Sequence, residues 1–258
     1  MNFAPGAWKY ALPPLLVAPF ALIISVTASA VSLALGVATL AFFRDPDRTP
    51  PPTGAVSPAD GTVSVLRTEG DRVRLGVFMN VWHVHVVRAP FDARVVDVEH
   101  VPGAYKPAFS KDSDRNERVH VSLEPTDDPE PAYEADGETA TATAEVTFIA
   151  GAFARRIHPY VEEGEEIERG QRIGHIAFGS RVDVLFPSEV DPEDLAVEPG
   201  TKTTAGETVI LEARAADLPF GVGAGEFDLE AEFEAETGAA ADEPGDASEA
   251  ADGSSASS

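Results

Sequence analysis

The chain has 258 residues, 43% of them hydrophobic, with 44 acidic against 19 basic side chains and no cysteine. A formal net charge of −25 argues against nucleic-acid binding, which needs clustered Lys and Arg. The missing cysteines exclude disulfides, zinc thiolates and thiol nucleophiles.

In chain order, the first feature is an uncharged apolar run from Ala11 to Phe43, longer than the roughly 20 residues a spanning helix needs. Pro13, Pro14 and Pro19 are expected to break its early part, so residues 1–43 read either as one long tilted span or as a helical hairpin. Lys9 before the run and Arg44 and Arg48 after it favour the hairpin, because both ends then face the cytoplasm. Residues 44–58, with Pro46, Pro50, Pro51 and Pro52, read as a stiff extended linker.

From residue 59 to 214 the pattern is one of short strands. Thr62–Leu66, Val73–Phe78, His83–Val87, Arg94–Val98, Val119–Leu123, Thr141–Ile149, Arg172–Ala177 and Thr208–Glu212 are β-branched-rich or alternating, with Gly, Asp or Pro between them. Short helices fit only near Ala152–Arg156 and Pro192–Ala196. The fold class is mainly β, a β-rich α+β domain, and Gly164–Gly174 has the turn-and-strand rhythm of barrel-sandwich domains. Thr126–Glu138 reads as an exposed acidic loop. Residues 215–258 contain no Lys or Arg and read as a disordered acidic tail. Acidity in tail and folded part alike is the composition of a protein kept soluble at high salt.

Three residues supply the types needed to activate a hydroxyl. Ser180 follows Gly179 at a strand end, which by itself is an ordinary turn arrangement. Asp60 stands in Ser57-Pro-Ala-Asp-Gly61, by itself a turn signal. His83 and His85 share one face of the expected strand at a spacing of two. An Asp that orients an imidazole, which in turn takes a hydroxyl proton, makes a competent nucleophile. No metal site is expected, since the two histidines have no clear third ligand.

Phe43-Arg-Asp-Pro-Asp-Arg48, Ser57-Pro-Ala-Asp-Gly61, Val84-His-Val-Val-Arg-Ala-Pro90, Asn116-Glu-Arg118, Ala154-Arg-Arg-Ile157 and Phe178-Gly-Ser-Arg181 follow one another in this order. The series resembles the short, archaeal-type form of the phosphatidylserine decarboxylase family, with residues 59–214 as the catalytic domain and the apolar segment as its membrane anchor. The resemblance implies a self-processing enzyme whose cofactor is a pyruvoyl group derived from Ser180. His85, oriented by Asp60, would deprotonate Ser180, which attacks Gly179. Cleavage would leave a β chain (1–179) and an α chain (180–258). The ketone would then condense with the amine of a serine phospholipid, acyl or archaeal ether, and accept the electrons released with CO2, with His85 or His83 returning the proton. Arg155, Arg156 and Arg118 are the candidates for the lipid phosphate, and the loop Pro102–Arg118 for a cover over the site.

The chain departs from the family where Val87 replaces Asn, Ala93 replaces Gly, and Arg88 stands at the second His of some long-form members. The resemblance implies a cell-membrane protein with its catalytic domain in the cytoplasm, and leaves homo-oligomers open. Two other readings compete. A serine hydrolase using Asp60, His85 and Ser180 would keep an intact chain, and a tethered carrier module would need a hairpin lysine, for which Lys202 is the nearest candidate.

Overall fold

The computed structural model describes residues 2–104, 116–126, 134–135, 138–139, 143–151, 156–177 and 180–212. The expected acidic tail, most of the loop 102–118, most of Thr126–Glu138, the helix at 152–155, Arg155, Phe178 and Gly179 lie outside these residues.

The apolar run forms two antiparallel helices, α1 (Ala7–Ile24) and α2 (Val26–Phe42), joined at Ser25. The three prolines of α1 do not break it. α2 packs along it closely, and a Cβ at Gly36 would lie 2.5 Å from the Leu15 side chain. A neighbouring helix at this range supports proline-containing helices, and Ser32 Oγ donates to the Pro14 carbonyl at 2.7 Å. α1 is long and apolar enough to cross a membrane by length and composition. At 1.5 Å per residue it spans ~27 Å. Apolar side chains face outward along the hairpin, and Ile24 at its tip is 88% exposed.

The rest is mainly β. The main strands are β1 (Gly61–Glu69), β2 (Arg72–Met79), β3 (Val86–Arg88), β4 (Ala93–Val101), β5 (Arg118–Pro125), β6 (Ala144–Ala150), β7 (Arg156–Pro159), β8 (Glu166–Ile167), β9 (Arg172–Ala177), β10 (Ser180–Leu185) and β11 (Lys202–Thr203). Eight form one antiparallel sheet in the order β8-β4-β5-β6-β10-β2-β1-β11, and three form a second in the order β7-β9-β3. Alternation along the strands separates two faces. Val119, Val121, Leu123, Val146, Phe148, Val182, Val184, Leu75 and Val77 enter the main core. Each large side chain so buried stabilises the fold by about 1.5–3 kcal/mol. Arg74, Arg118, His120, Thr147, Arg181 and Asp183 take the other face, around a hollow of about 160 Å³.

Two expectations are corrected. The strand expected over His83–Val87 starts only at Val86. Before it, the Asn80 side chain accepts the Trp82 N–H at 2.9 Å and the Asn80 carbonyl accepts the His83 N–H at 3.1 Å, which holds a turn. Segment 44–58 is extended but is no free spacer. Asp45 is buried between Arg88 at 3.2 Å and Arg172 at 2.6 Å, and Ala55–Val56 pairs with Val209–Leu211. Arg88 also donates to the carbonyls of Gly170 and Pro46, so it ties this segment to the core. Val87 belongs to the main core, whereas Val84 and Val86 pack with Phe42 and Phe43 at the foot of the hairpin. Pro192–Asp194 forms a single 3-10 turn, while Arg156 belongs to a strand.

Candidate active site

Ser180 is the first residue of β10, an interior strand of the large sheet, and its register partner is Met79 at the end of β2. Just upstream, Ile176 of β9 donates its N–H to the His85 carbonyl at 3.1 Å. The chain therefore crosses from the small sheet to the large one between Ile176 and Ser180. It is clamped at both ends to the single segment that runs from Met79 to His85. This double clamp brings His85 and Ser180 into one neighbourhood although 95 positions separate them in the numbering. Ser180 is fully buried, and its hydroxyl lies 3.9 Å from Met79 Sδ, a weak acceptor.

The His85 ring is 3% exposed. Its Nδ1 faces the His83 carbonyl at 2.9 Å. A carbonyl only accepts, so Nδ1 carries the hydrogen and Nε2 of the neutral ring holds a lone pair. Nε2 is buried with no hydrogen-bond partner among the described residues. Burial depresses the His85 pKa to about 4, although its bond to the His83 carbonyl acts in the opposite direction. The ring is therefore an uncharged base at neutral pH. An orphaned buried acceptor is costly to keep and marks a site where a proton is expected to arrive.

Asp60 is not on His85. Its carboxylate binds Arg48 at 3.2 Å and accepts the Ala205 N–H at 2.8 Å, and Arg48 also reaches Glu207 at 3.0 Å. The Pro/Gly turn that holds Asp60 is pinned to the 203–206 turn, which aims its side chain there. The geometry thus corrects the expectation that Asp60 orients His85; the His83 backbone does so. His83 is half-buried, and its Nδ1 accepts the Asn80 N–H at 3.1 Å. Burial lowers the His83 pKa, while the nearby Asp60 charge opposes that shift.

Of the proposed phosphate residues, Arg156 is exposed on β7 opposite Ala177. Arg118 lies on β5 in the hollow with Arg67, Arg74 and Arg181. Among the described residues no group of three or more His, Asp or Glu suits a metal ion.

Sequence reasoning did not anticipate three features. Phe42 lies against His85, ring centroids 4.2 Å apart. Tyr160 donates its hydroxyl to His175 Nδ1 at 2.6 Å, and His175 stacks on His158 at 4.6 Å. Burial, together with the His158 charge, lowers the His175 pKa to about 4, and burial raises that of Tyr160. Phe43 meets His175 edge-on at 6.1 Å. The foot of the hairpin thus packs on His85 and on β9, the strand that precedes Ser180 in the chain. His175 lies in the expected strand Arg172–Ala177, but only the fold shows what it touches.

The sequence model of the family described as phosphatidylserine decarboxylase matches residues 35–211. A putative archaetidylserine decarboxylase proenzyme of Halobacterium salinarum is 53% identical over 207 residues, 80% of this chain and 96% of its own. A phosphatidylserine decarboxylase proenzyme of Streptomyces avermitilis is 42% identical over 81% of this chain and 93% of its own. A putative archaetidylserine decarboxylase proenzyme of Methanopyrus kandleri is 37% identical over 82% and 99%. The family match and these relatives define an enzyme of the carboxy-lyase class. The chain belongs to the phosphatidylserine decarboxylase family.

Proposed function

We propose that the chain is a membrane-anchored proenzyme that cuts itself between Gly179 and Ser180 and then decarboxylates a serine glycerophospholipid to its ethanolamine counterpart. The observation that carries this reading is a fully buried serine paired in the sheet with Met79, at one end of the short segment whose other end is the buried, uncharged His85, with an Nε2 that has no partner among the described residues. A hydrolase needs its nucleophile open to an outside ester. Ser180 is closed to solvent, and the peptide carbonyl of the residue before it is the electrophile that the chain itself supplies.

In this reading His85 Nε2 takes the Ser180 hydroxyl proton, and the oxygen attacks the Gly179 carbonyl carbon. The Ser180 nitrogen leaves as an amine and an ester links the two residues. Loss of the Ser180 Cα proton breaks the ester C–O bond, releases the Gly179 carboxylate and leaves a dehydroalanine. Water then displaces ammonia to give the pyruvoyl group. The buried strand head fits that group, because main-chain pairing with Met79 fixes its position and water is largely excluded. When formed, the group supplies a carbonyl that withdraws the electrons released with CO2.

During turnover His85 is the proton carrier, with His83 the second candidate on the same turn. Arg118, Arg155 and Arg156 are the candidates for holding the lipid phosphate as paired donors. The hairpin is the anchor, with both its ends on the cytoplasmic side. The name of the Halobacterium relative makes archaetidylserine the first substrate to try.

Intact mass spectrometry of the purified chain, with and without borohydride, tests this. Two species are expected, one beginning at residue 180, lighter than a serine-initiated chain by ammonia and shifted by reduction. Ser180→Ala should give one uncut, inactive chain. A Ser180→Ala variant that still splits there would sink the reading.

A further inference from the structure

The turn between Met79 and His85 carries two apolar side chains outward. Trp82 is 80% exposed and Val81 is 50% exposed. This is not a slack loop. The Asn80 side chain and carbonyl accept the N–H groups of Trp82 and His83, His83 Nδ1 accepts the Asn80 N–H, and Arg44 Nη2 donates to the Trp82 carbonyl at 2.7 Å. These bonds hold the turn in one shape, with the Val81 and Trp82 side chains at its exposed tip.

The tip stands at the foot of the hairpin. Arg44 follows α2 directly, and the Ala4 N–H bonds the Phe43 carbonyl at 2.8 Å, so the start of α1 lies at the same end. Trp8 and Tyr10 of α1 are both exposed there, with Trp8 edge-on to Phe3 and Tyr10 stacked on Phe43. Four cations stand around this foot, with the acids Asp47 and Asp60 beside them. The charges of Arg44 and Lys202 act on His83, and those of Arg156 and Lys9 act on His158. Exposed Trp and Tyr with cations among them, beside a strongly apolar segment, is the composition that settles at the headgroup level of a bilayer.

We propose that the Asn80–His83 turn is a second membrane contact, seating Val81 and Trp82 in the headgroup region of an anionic bilayer beside the hairpin. This inference rests on the reading of the hairpin as a bilayer anchor. The contact lies between Met79, paired with Ser180, and His85. It sets the depth of the reaction site at the plane where a lipid's serine head group lies, so the head group need not leave the membrane.

The chain contains only two tryptophans, so each can be watched alone. Full-length Trp8→Phe and Trp82→Phe proteins are reconstituted into vesicles of phosphatidylglycerol and phosphatidylcholine, with or without bromine on the upper acyl chain. In Trp8→Phe, Trp82 emission should shift to the blue, lose most of its intensity to the brominated lipid and resist aqueous iodide. In Trp82→Phe, Trp8 should behave likewise. If Trp8 is quenched by lipid while Trp82 emits as in water, the second contact is refuted and the anchor stands. If neither senses the bromine, both the anchor and the contact fail. Self-cleavage, read by mass, reports the chemistry independently of either result.

Discussion

The ring of Phe42, the last residue of α2, lies over the imidazole of His85 with centroids 4.2 Å apart and a tilt of 31°. The hairpin is thus joined to the candidate site by direct contact, and its end residue helps keep water from the ring. That exclusion underlies the low His85 pKa.

Removing this cover should move the pH dependence of self-cleavage. The lone pair on Nε2 is available above the His85 pKa of about 4 and lost as pH falls through it. Phe42→Ala admits water, stabilises the charged ring and raises the pKa toward its ordinary 6.5. The acid limb of the cleavage rate, followed in freshly translated chain across a pH series, should shift upward. The variant should also lose about 3 kcal/mol of stability. An unmoved limb would mean that Phe42 does not shield the base.

The two histidines should separate cleanly. His85→Ala should slow self-cleavage by about 100-fold or more, as expected for loss of a positioned base. His83→Ala removes only the acceptor for the Asn80 N–H and should leave most of the rate. Gel quantification of uncut chain against time distinguishes them. Normal cleavage in His85→Ala would move the assignment to His83.

Asp60 should behave as a positioning residue. Asp60→Asn weakens its bonds to Arg48 and the Ala205 N–H and should cost about 1–3 kcal/mol. The acid limb of cleavage should stay where it is, because Asp60 does not touch the His85 ring. Arg48→Gln should cost a similar amount, and the double variant less than the two together. Thermal melts and the same pH series provide both readouts. A shifted limb in Asp60→Asn would restore a direct partnership with His85.

Glu145 gives a stability prediction. Burial alone would raise its pKa, but hydrogen bonds from His120 and Thr147 outweigh it and hold the carboxyl at about 2. A depressed carboxylate contributes stability that is present above its ordinary 4.5 and lost as pH falls toward 2. Glu145→Gln should lower stability by about 1 kcal/mol at neutral pH, and the gap to the parent protein should close in acid. Melting temperatures at pH 7 and pH 3 suffice to check this.

Much of the β architecture was legible because β-branched residues alternate along half-buried strands, as in β2, β5 and β6, whereas β10, which begins at Ser180, looks in the sequence like a turn after a strand. The read failed where side chains overrule the pattern. His83 and Val84 look like strand, but the Asn80 side chain captures the Trp82 N–H and turns the chain. Pro13, Pro14 and Pro19 look like breakers, but packing against α2 at Gly36 carries the helix through them. Of the site, the sequence indicated Ser180 and His85 by type and motif order. It could not reveal that Asp60 goes to Arg48, or that Phe42 covers His85, because both depend on partners distant in the chain.

β10 is held along its length by β6 on one side and β2 on the other, with Ser180 paired to Ala150 and Met79. Under the proposed cleavage before Ser180, these ladders would run between two separate polypeptides. The mature enzyme would then be a heterodimer by covalent connectivity but a single sheet by structure. Its unfolding becomes bimolecular, so its melting temperature should rise with protein concentration while that of Ser180→Ala does not. Refolding must also reunite a strand that no longer has a tether, so inactivation by heat should be far less reversible in the mature enzyme than in its precursor.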